Sequence, residues 1–161
     1  KRIARDARFF HYLERCGGQC SVVVGDARLS LKSRNVVHDV LVLDAFSSDA
    51  IPMHLLTSEA LQIYESRLAA DGLLVFHISN RHILLRPTIA RLARDRQLTA
   101  FARFDPTVDT ARGYEASDWV VMARSEKALE SFAHDTRWTR LEADGRPAWS
   151  DDFSNIWTEL R

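Results

Sequence analysis

Two apolar runs, HDVLVLD (38 to 44) and LLVFHIS (73 to 79), constrain the fold of this chain more than any other feature. Neither alternates apolar with polar residues, so each reads as a strand covered on both faces, the pattern of a parallel sheet. Between them MHLLTSEALQIYESRLAADG (53 to 72) carries apolar residues at helical spacing and ends on Asp71 and Gly72, a helix stop. Strand, crossover helix and second buried strand make a βαβ unit.

The flanking segments extend this alternation. RIARDARFFHYLERC has helical spacing up to Gly17 and Gly18, and CSVVVG (20 to 25) reads as another central strand. ILLRPTIARLARDRQ (83 to 97) predicts a helix with Pro87 in its first turn, where a missing amide costs nothing. TAFARF (99 to 104) and DWVVMAR (118 to 124) predict two further strands, and a helix follows from about Ser125 to His134. Helices alternating with buried strands imply an α/β fold with a doubly wound, mostly parallel sheet. Such sheets bind ligands at the carboxyl ends of their strands, where Asp26, Asp44 and Asn80 fall.

Composition narrows the partners. The 161 residues, 46% of them hydrophobic, suffice for the core of one domain spanning 1 to 161, and no repeat or linker interrupts them. Lysine plus arginine equals aspartate plus glutamate at 22 each, so no net field draws in a nucleic acid. No apolar run reaches the roughly 18 residues of a membrane span, and no signal-peptide pattern opens the chain, so the chain itself is expected to be soluble, without membrane contact. Cys16 and Cys20 in CGGQC have neither the spacing of a thioredoxin motif nor two further zinc ligands, and read as reduced thiols beside a glycine turn.

One loop is richer than a turn requires. After the strand at 38 to 44 the chain passes through DAFSSDAIPMHLLT (44 to 57), which offers Asp44, Ser47, Ser48, Asp49 and His54 to a ligand.

Four stretches, VVVGDARLSL, DVLVLDAFSSDAIPMHLLTSEAL, DGLLVFHISNRH and WSDDFSNI, resemble the spermidine synthase-like proteins of bacteria, relatives of the polyamine aminopropyltransferases that are often fused to a transporter-like membrane domain. The resemblance covers nearly the whole chain. It implies a methyltransferase-type Rossmann fold. Proteins of that fold open with a strand, a glycine-rich turn and a second strand ending in an acidic residue, and RIARDARFF looks like the helix that comes next. The chain is therefore expected to be the carboxyl-terminal part of a larger catalytic domain, inactive alone.

The resemblance also implies transfer of an aminopropyl group from decarboxylated S-adenosylmethionine to a small-molecule amine. Two alternatives stay open: methyl transfer from S-adenosylmethionine on the same fold, and a noncatalytic domain that senses a nucleoside or polyamine for an attached transporter. Asp44 resembles the family's proton-accepting aspartate, with a loop-capping role as the alternative. Asp49 is the candidate anchor for the far end of the amine, but it lies five residues after Asp44, a departure from the family's tighter loop, and a turn before Pro52 explains it equally well. Ser47 and Ser48 would hydrogen-bond substrate or only local backbone. Asp26 in GDAR matches the family's contact to the adenine amine, with Ala27 offering a backbone amide to the ring, and helix capping is its rival role.

Asp152, with Trp149 and Asp151, would cover a cationic substrate by charge and cation–π attraction; alternatively Trp149, Phe153 and Trp157 seal the sheet edge with the aspartates outside. His77, Asn80 and His82 lack an acidic partner at metal-ligand spacing, and the resemblance calls for no metal. It implies a cytoplasmic domain, in a parent anchored to the inner membrane if fused, and leaves a homodimer open.

Overall fold

A computed structural model gives the fold and describes residues 6–9, 11–16, 20–45, 51–80 and 82–160. The chain divides into two compact units, Lys1–Arg34 and Asn35–Arg161.

In the first unit a short helix α1, Tyr12–Arg15, precedes helix α2, Ala27–Ser33. Asp26 caps α2: its carboxylate accepts from the Leu29 amide at 2.8 Å. Cys16 and Cys20 are joined by a disulfide, which corrects the expectation of reduced thiols. Their Cα atoms stand 5.6 Å apart, inside the range a disulfide spans. The expected strand at 20 to 25 is also corrected, because those residues form no ladder and leave Val23 and Val24 exposed. β-branched composition favours extended backbone, but a strand exists only where a partner supplies the other half of its hydrogen bonds.

The second unit is built on a five-stranded sheet of order β1-β2-β4-β3-β5, formed by β1 His38–Leu43, β2 Leu68–His77, β3 Thr99–Asp105, β4 Ser117–Ala123 and β5 Thr139–Arg140. β1 and β2 pair in parallel, whereas β4 runs antiparallel to both β2 and β3. Strands β1, β2 and β3 thus share a direction, with β4 inserted against them. The α/β class is as expected from sequence, and the sheet is mixed. Between β1 and β2 lies helix α3, Ser58–Ser66, behind a single 3-10 turn at Met53–Leu55. Helix α4, Leu85–Asp95, joins β2 to β3, with Pro87 in its first turn. A second 3-10 turn at Lys127–Leu129 and the short helix α5, Glu130–Ala133, follow β4.

The helix expected to run to residue 72 ends at Ser66, and the segment 68 to 72 belongs to β2. Its register shows why: His38 pairs with Leu68 but Val40 with Leu73, so β2 bulges through AADG. A Cβ on Gly72 would lie 2.7 Å from Leu68 Cγ, so glycine here permits a close approach and does not stop a helix.

The two faces of the sheet bury different partners. Leu74, Phe76, Val120, Met122, Ala100 and Ala102 alternate onto one face, and all are buried. α3 and α4 pack on the sheet, contributing buried Ala60, Leu61, Tyr64, Ile89 and Leu92, with the Tyr64 ring edge-on to Phe76 at 6.4 Å. Phe101, Val121 and Ala123 point to the other face, where Leu129, Phe132 and Trp138 cover them. Toward β1 that second face opens, and Val40 and Val42 are each 52% exposed.

The tail fastens onto the helices. Trp149, fully buried, accepts at its carbonyl from the Ser58 amide at 2.9 Å, and Thr57, which caps α3, donates to Asp151 at 2.8 Å. Glu159 in the 3-10 turn Ile156–Glu159 forms a buried ion pair with Arg91 of α4. Phe153 and Trp157 are exposed, so of the three aromatics expected to seal the sheet only Trp149 is packed inside.

Candidate functional site

The carboxyl ends of β1 and β2 and the amino end of β4 meet at one side of the second unit. The parallel register that sets Leu43 beside Phe76 sets the next residues, Asp44 and His77, side by side as well. Asp44 Oδ1 lies 2.8 Å from His77 Nδ1. The Asp44 side chain is 55% exposed while that of His77 is 21% exposed, so the ring is held from the protein side and the carboxylate faces solvent.

Trp119 and Ser79 hold that ring from its other sides. Trp119, opposite His77 in the antiparallel ladder of β4, stacks on it with centroids 4.4 Å apart and planes 11° from parallel. Ser79 Oγ lies 2.8 Å from Nε2 and itself accepts from the Asp118 amide at 2.9 Å. Asp118 receives the guanidinium of Arg86, in the first turn of α4, with Nε at 3.0 Å from both carboxylate oxygens. This pair occupies the Asp118 charge and pins the start of β4 to the start of α4. Asn80 closes the strand end, its Oδ1 accepting from the amides of His82 and Ile83 at 2.9 Å each.

Asp105, at the carboxyl end of β3, is differently employed. The Thr107 hydroxyl and amide, with Arg103 beside them, hold its carboxyl below the ordinary range. It belongs to its own turn. Among the described residues no group of three or more His, Cys, Asp and Glu side chains is arranged to hold a metal ion.

The structure therefore sets Asp44 just past the end of β1 and supplies it with a partner that sequence reasoning considered only as a metal ligand. The missed residues are His77 in this role, Ser79, Trp119 and the Asp118–Arg86 pair. Part of the signal was available, because His77 and Ser79 are polar residues on one face of an otherwise apolar strand end. Ser47, Ser48 and Asp49 lie outside the described residues. Asp152 is exposed, and its neighbour Asp151 is engaged with Thr57 and, through its amide, with Glu59 at 2.9 Å. Asp26 and Ala27 belong to the first unit, where the capping role of Asp26 is seen directly. His54 lies in the 3-10 turn before α3 and is exposed.

No family model matches the sequence, and no curated protein matches it. Among solved structures the chain is similar to a probable spermidine synthase from Corynebacterium glutamicum ATCC 13032, with a TM-score of 0.56 and 17% identity over 84% of this chain. The chain spans 56% of the length of that protein. It is also matched, at a TM-score of 0.46 and 15% identity, to MNMC2 from Aquifex aeolicus, over 81% of this chain and 43% of that one. The first likeness shows the fold, the methyltransferase-type α/β architecture.

Proposed function

We propose that this chain is part of an aminopropyltransferase-like domain that moves an aminopropyl group from decarboxylated S-adenosylmethionine to a small amine, with Asp44 as the proton acceptor. The observation that carries this reading is the placement of Asp44: it follows the last residue of β1, is held on one side by His77 and is open to solvent on the other. That is where an α/β sheet presents catalytic groups. The sequence resemblance and the fold shared with a probable spermidine synthase support the choice of reaction class.

The chemistry asks little of the protein. A sulfonium is already a good leaving group, so the amine nitrogen forms a bond to the transferred carbon as the carbon–sulfur bond breaks and its electron pair returns to sulfur. The products are methylthioadenosine, the alkylated amine and one proton. An ammonium has no lone pair and cannot attack until it loses a proton, and a carboxylate within hydrogen-bond reach accepts that proton before the new bond forms. The same negative charge attracts a cationic amine. Asp26, Ala27 and Asp49 enter this reading as binding residues on the resemblance alone, and Ser47, Ser48 and Asp152 as groups whose hydrogen bonds or charge suit a cationic amine. The proposed setting is the cytoplasm. Among the described residues no helix is long and apolar enough to cross a membrane.

The test is Asp44→Asn in the complete protein, supplied with decarboxylated S-adenosylmethionine and a panel of diamines. Turnover should fall about 100-fold or more with methylthioadenosine binding nearly unchanged. Turnover within a few-fold of the parent removes Asp44 from the chemistry, and S-adenosylhomocysteine as the product, from S-adenosylmethionine, replaces aminopropyl by methyl transfer.

A further inference from the structure

The hydrogen bonds around His77 fix more than the identity of a base. An ionised carboxylate has no proton to give, so the 2.8 Å contact with Asp44 makes Nδ1 the donor. On the opposite side of the ring, Ser79 Oγ already accepts from the Asp118 amide at 2.9 Å and keeps a hydroxyl proton to donate to Nε2, 2.8 Å away. With His77 neutral and its proton on Nδ1, each of these three contacts pairs one donor with one acceptor. Trp119 removes the remaining freedom, because a ring stacked at 4.4 Å and 11° cannot turn over without breaking the stack.

We propose that His77 is a positioning residue for Asp44: its Nδ1–H holds Oδ1, and so aims the second carboxylate oxygen at the incoming amine. Ser79 and Trp119 are the parts that fix the proton and the plane of the imidazole. The inference rests on the proposed role of Asp44 and adds the reason that this carboxylate, more than half exposed, keeps one orientation. An exposed Asp otherwise samples several rotamers, and an error of about 1 Å in a reacting group costs up to about 100-fold in rate. A carboxylate that orients a catalytic imidazole through Nδ1–H is familiar chemistry. Here the imidazole orients the carboxylate.

Two measurements on the complete protein test this. Long-range 15N–1H correlation spectra of neutral His77, assigned by loss of its signals in His77→Gln, should show the proton on Nδ1; a proton on Nε2 overturns the proposal. Turnover supplies the second arm. His77→Ala should lower kcat about 10-fold with the amine KM within a few-fold. His77→Asn, whose amide N–H stands near the position of Nδ1–H, should recover most of that loss, whereas His77→Gln and His77→Phe should not. Recovery by Phe in place of Asn would reduce His77 to packing against Trp119 and overturn the role, as would an Ala variant of parental kcat. Absence of transfer with every amine and both donors defeats the proposed function alone; the tautomer then decides the positioning of Asp44, upheld by Nδ1–H and overturned by Nε2–H.

Discussion

The helix-covered face of the sheet and the face that carries His77 divide the work of the second unit. On the first, Leu74, Phe76, Val120 and Met122 lie against α3 and α4 with almost no solvent access. On the second, burial is complete only over β3 and β4, beneath Leu129, Phe132 and Trp138, and it fades to half-exposed Val40 and Val42 on β1. The polar chain from Asp44 to Ser79 lies at the border of that thinly covered region. A close-packed layer tolerates no unpartnered polar atom, whereas a half-open face lets a carboxylate keep one oxygen in its network and the other in water. The packed core and the proposed site thus lie on opposite sides of the same strands.

Substitutions on the two faces should differ widely in cost. The largest effect is expected from Phe76→Ala, which empties a site 1% exposed and packed edge-on to Tyr64, at a cost of about 3 to 5 kcal/mol. Val42→Ala, on the open face of the adjacent strand, should cost less than about 0.5 kcal/mol. Urea unfolding followed by circular dichroism measures both, and similar losses would mean that the second face is covered in solution.

A smaller effect sharpens the picture of how α3 is held. Thr57 accepts from the Ala60 amide at 3.2 Å and donates to Asp151 at 2.8 Å, so Thr57→Ala removes both a helix cap and a tie to the tail. A loss of about 1 to 2 kcal/mol is expected in the same unfolding experiment. Thr57→Ser, which keeps the hydroxyl, should recover most of it. If Ser recovers nothing, the methyl packing of Thr57 matters and the cap does not.

The smallest effect lies in the segment that covers the second face, in the turn before Trp138. Hydrogen bonds from the Arg137 side chain and amide lower the Asp135 carboxyl to about 2. A carboxylate depressed in the folded state adds stability above its unfolded value, near 3.9, and loses it as pH falls toward 2. The melting-temperature gap between parent and Asp135→Asn should therefore be constant above about pH 4 and shrink from there toward pH 2. A gap that persists at pH 2 would assign the difference to turn geometry and leave no part to charge.

How much of this the sequence revealed depends on whether the deciding interaction is local. HDVLVL, TAFARF and WVVMA are strands as expected, and the amphipathic stripe with Pro87 at its start is a helix, because each segment carries its own apolar pattern. CSVVVG has the same composition as those strands yet forms no ladder, since a partner is not written in the segment itself. LAADG looked like a helix end because glycine stops helices, and is a bulge because β1 and β2 are out of step there. The position of Asp44 at a strand end was legible. Its partner was not, because the contact of Asp44 with His77 follows from the register of β1 on β2 and the stack of Trp119 on His77 from the insertion of β4 between β2 and β3, facts of topology that local spacing does not carry.

That insertion has a kinetic consequence. Asp44 meets His77 across 33 residues, and Ser79 meets Asp118 across 39, so two long loops must close before the ring has all its neighbours. Closing each loop carries an entropic cost, and pairings so distant in sequence slow the search for the native sheet. β2 and β3 must also leave a gap that a later stretch of chain fills from the opposite direction. The imidazole stack is therefore a reporter of completion: until β4 is in place Asp44 has only its contact with His77, where the finished molecule uses a chain of them.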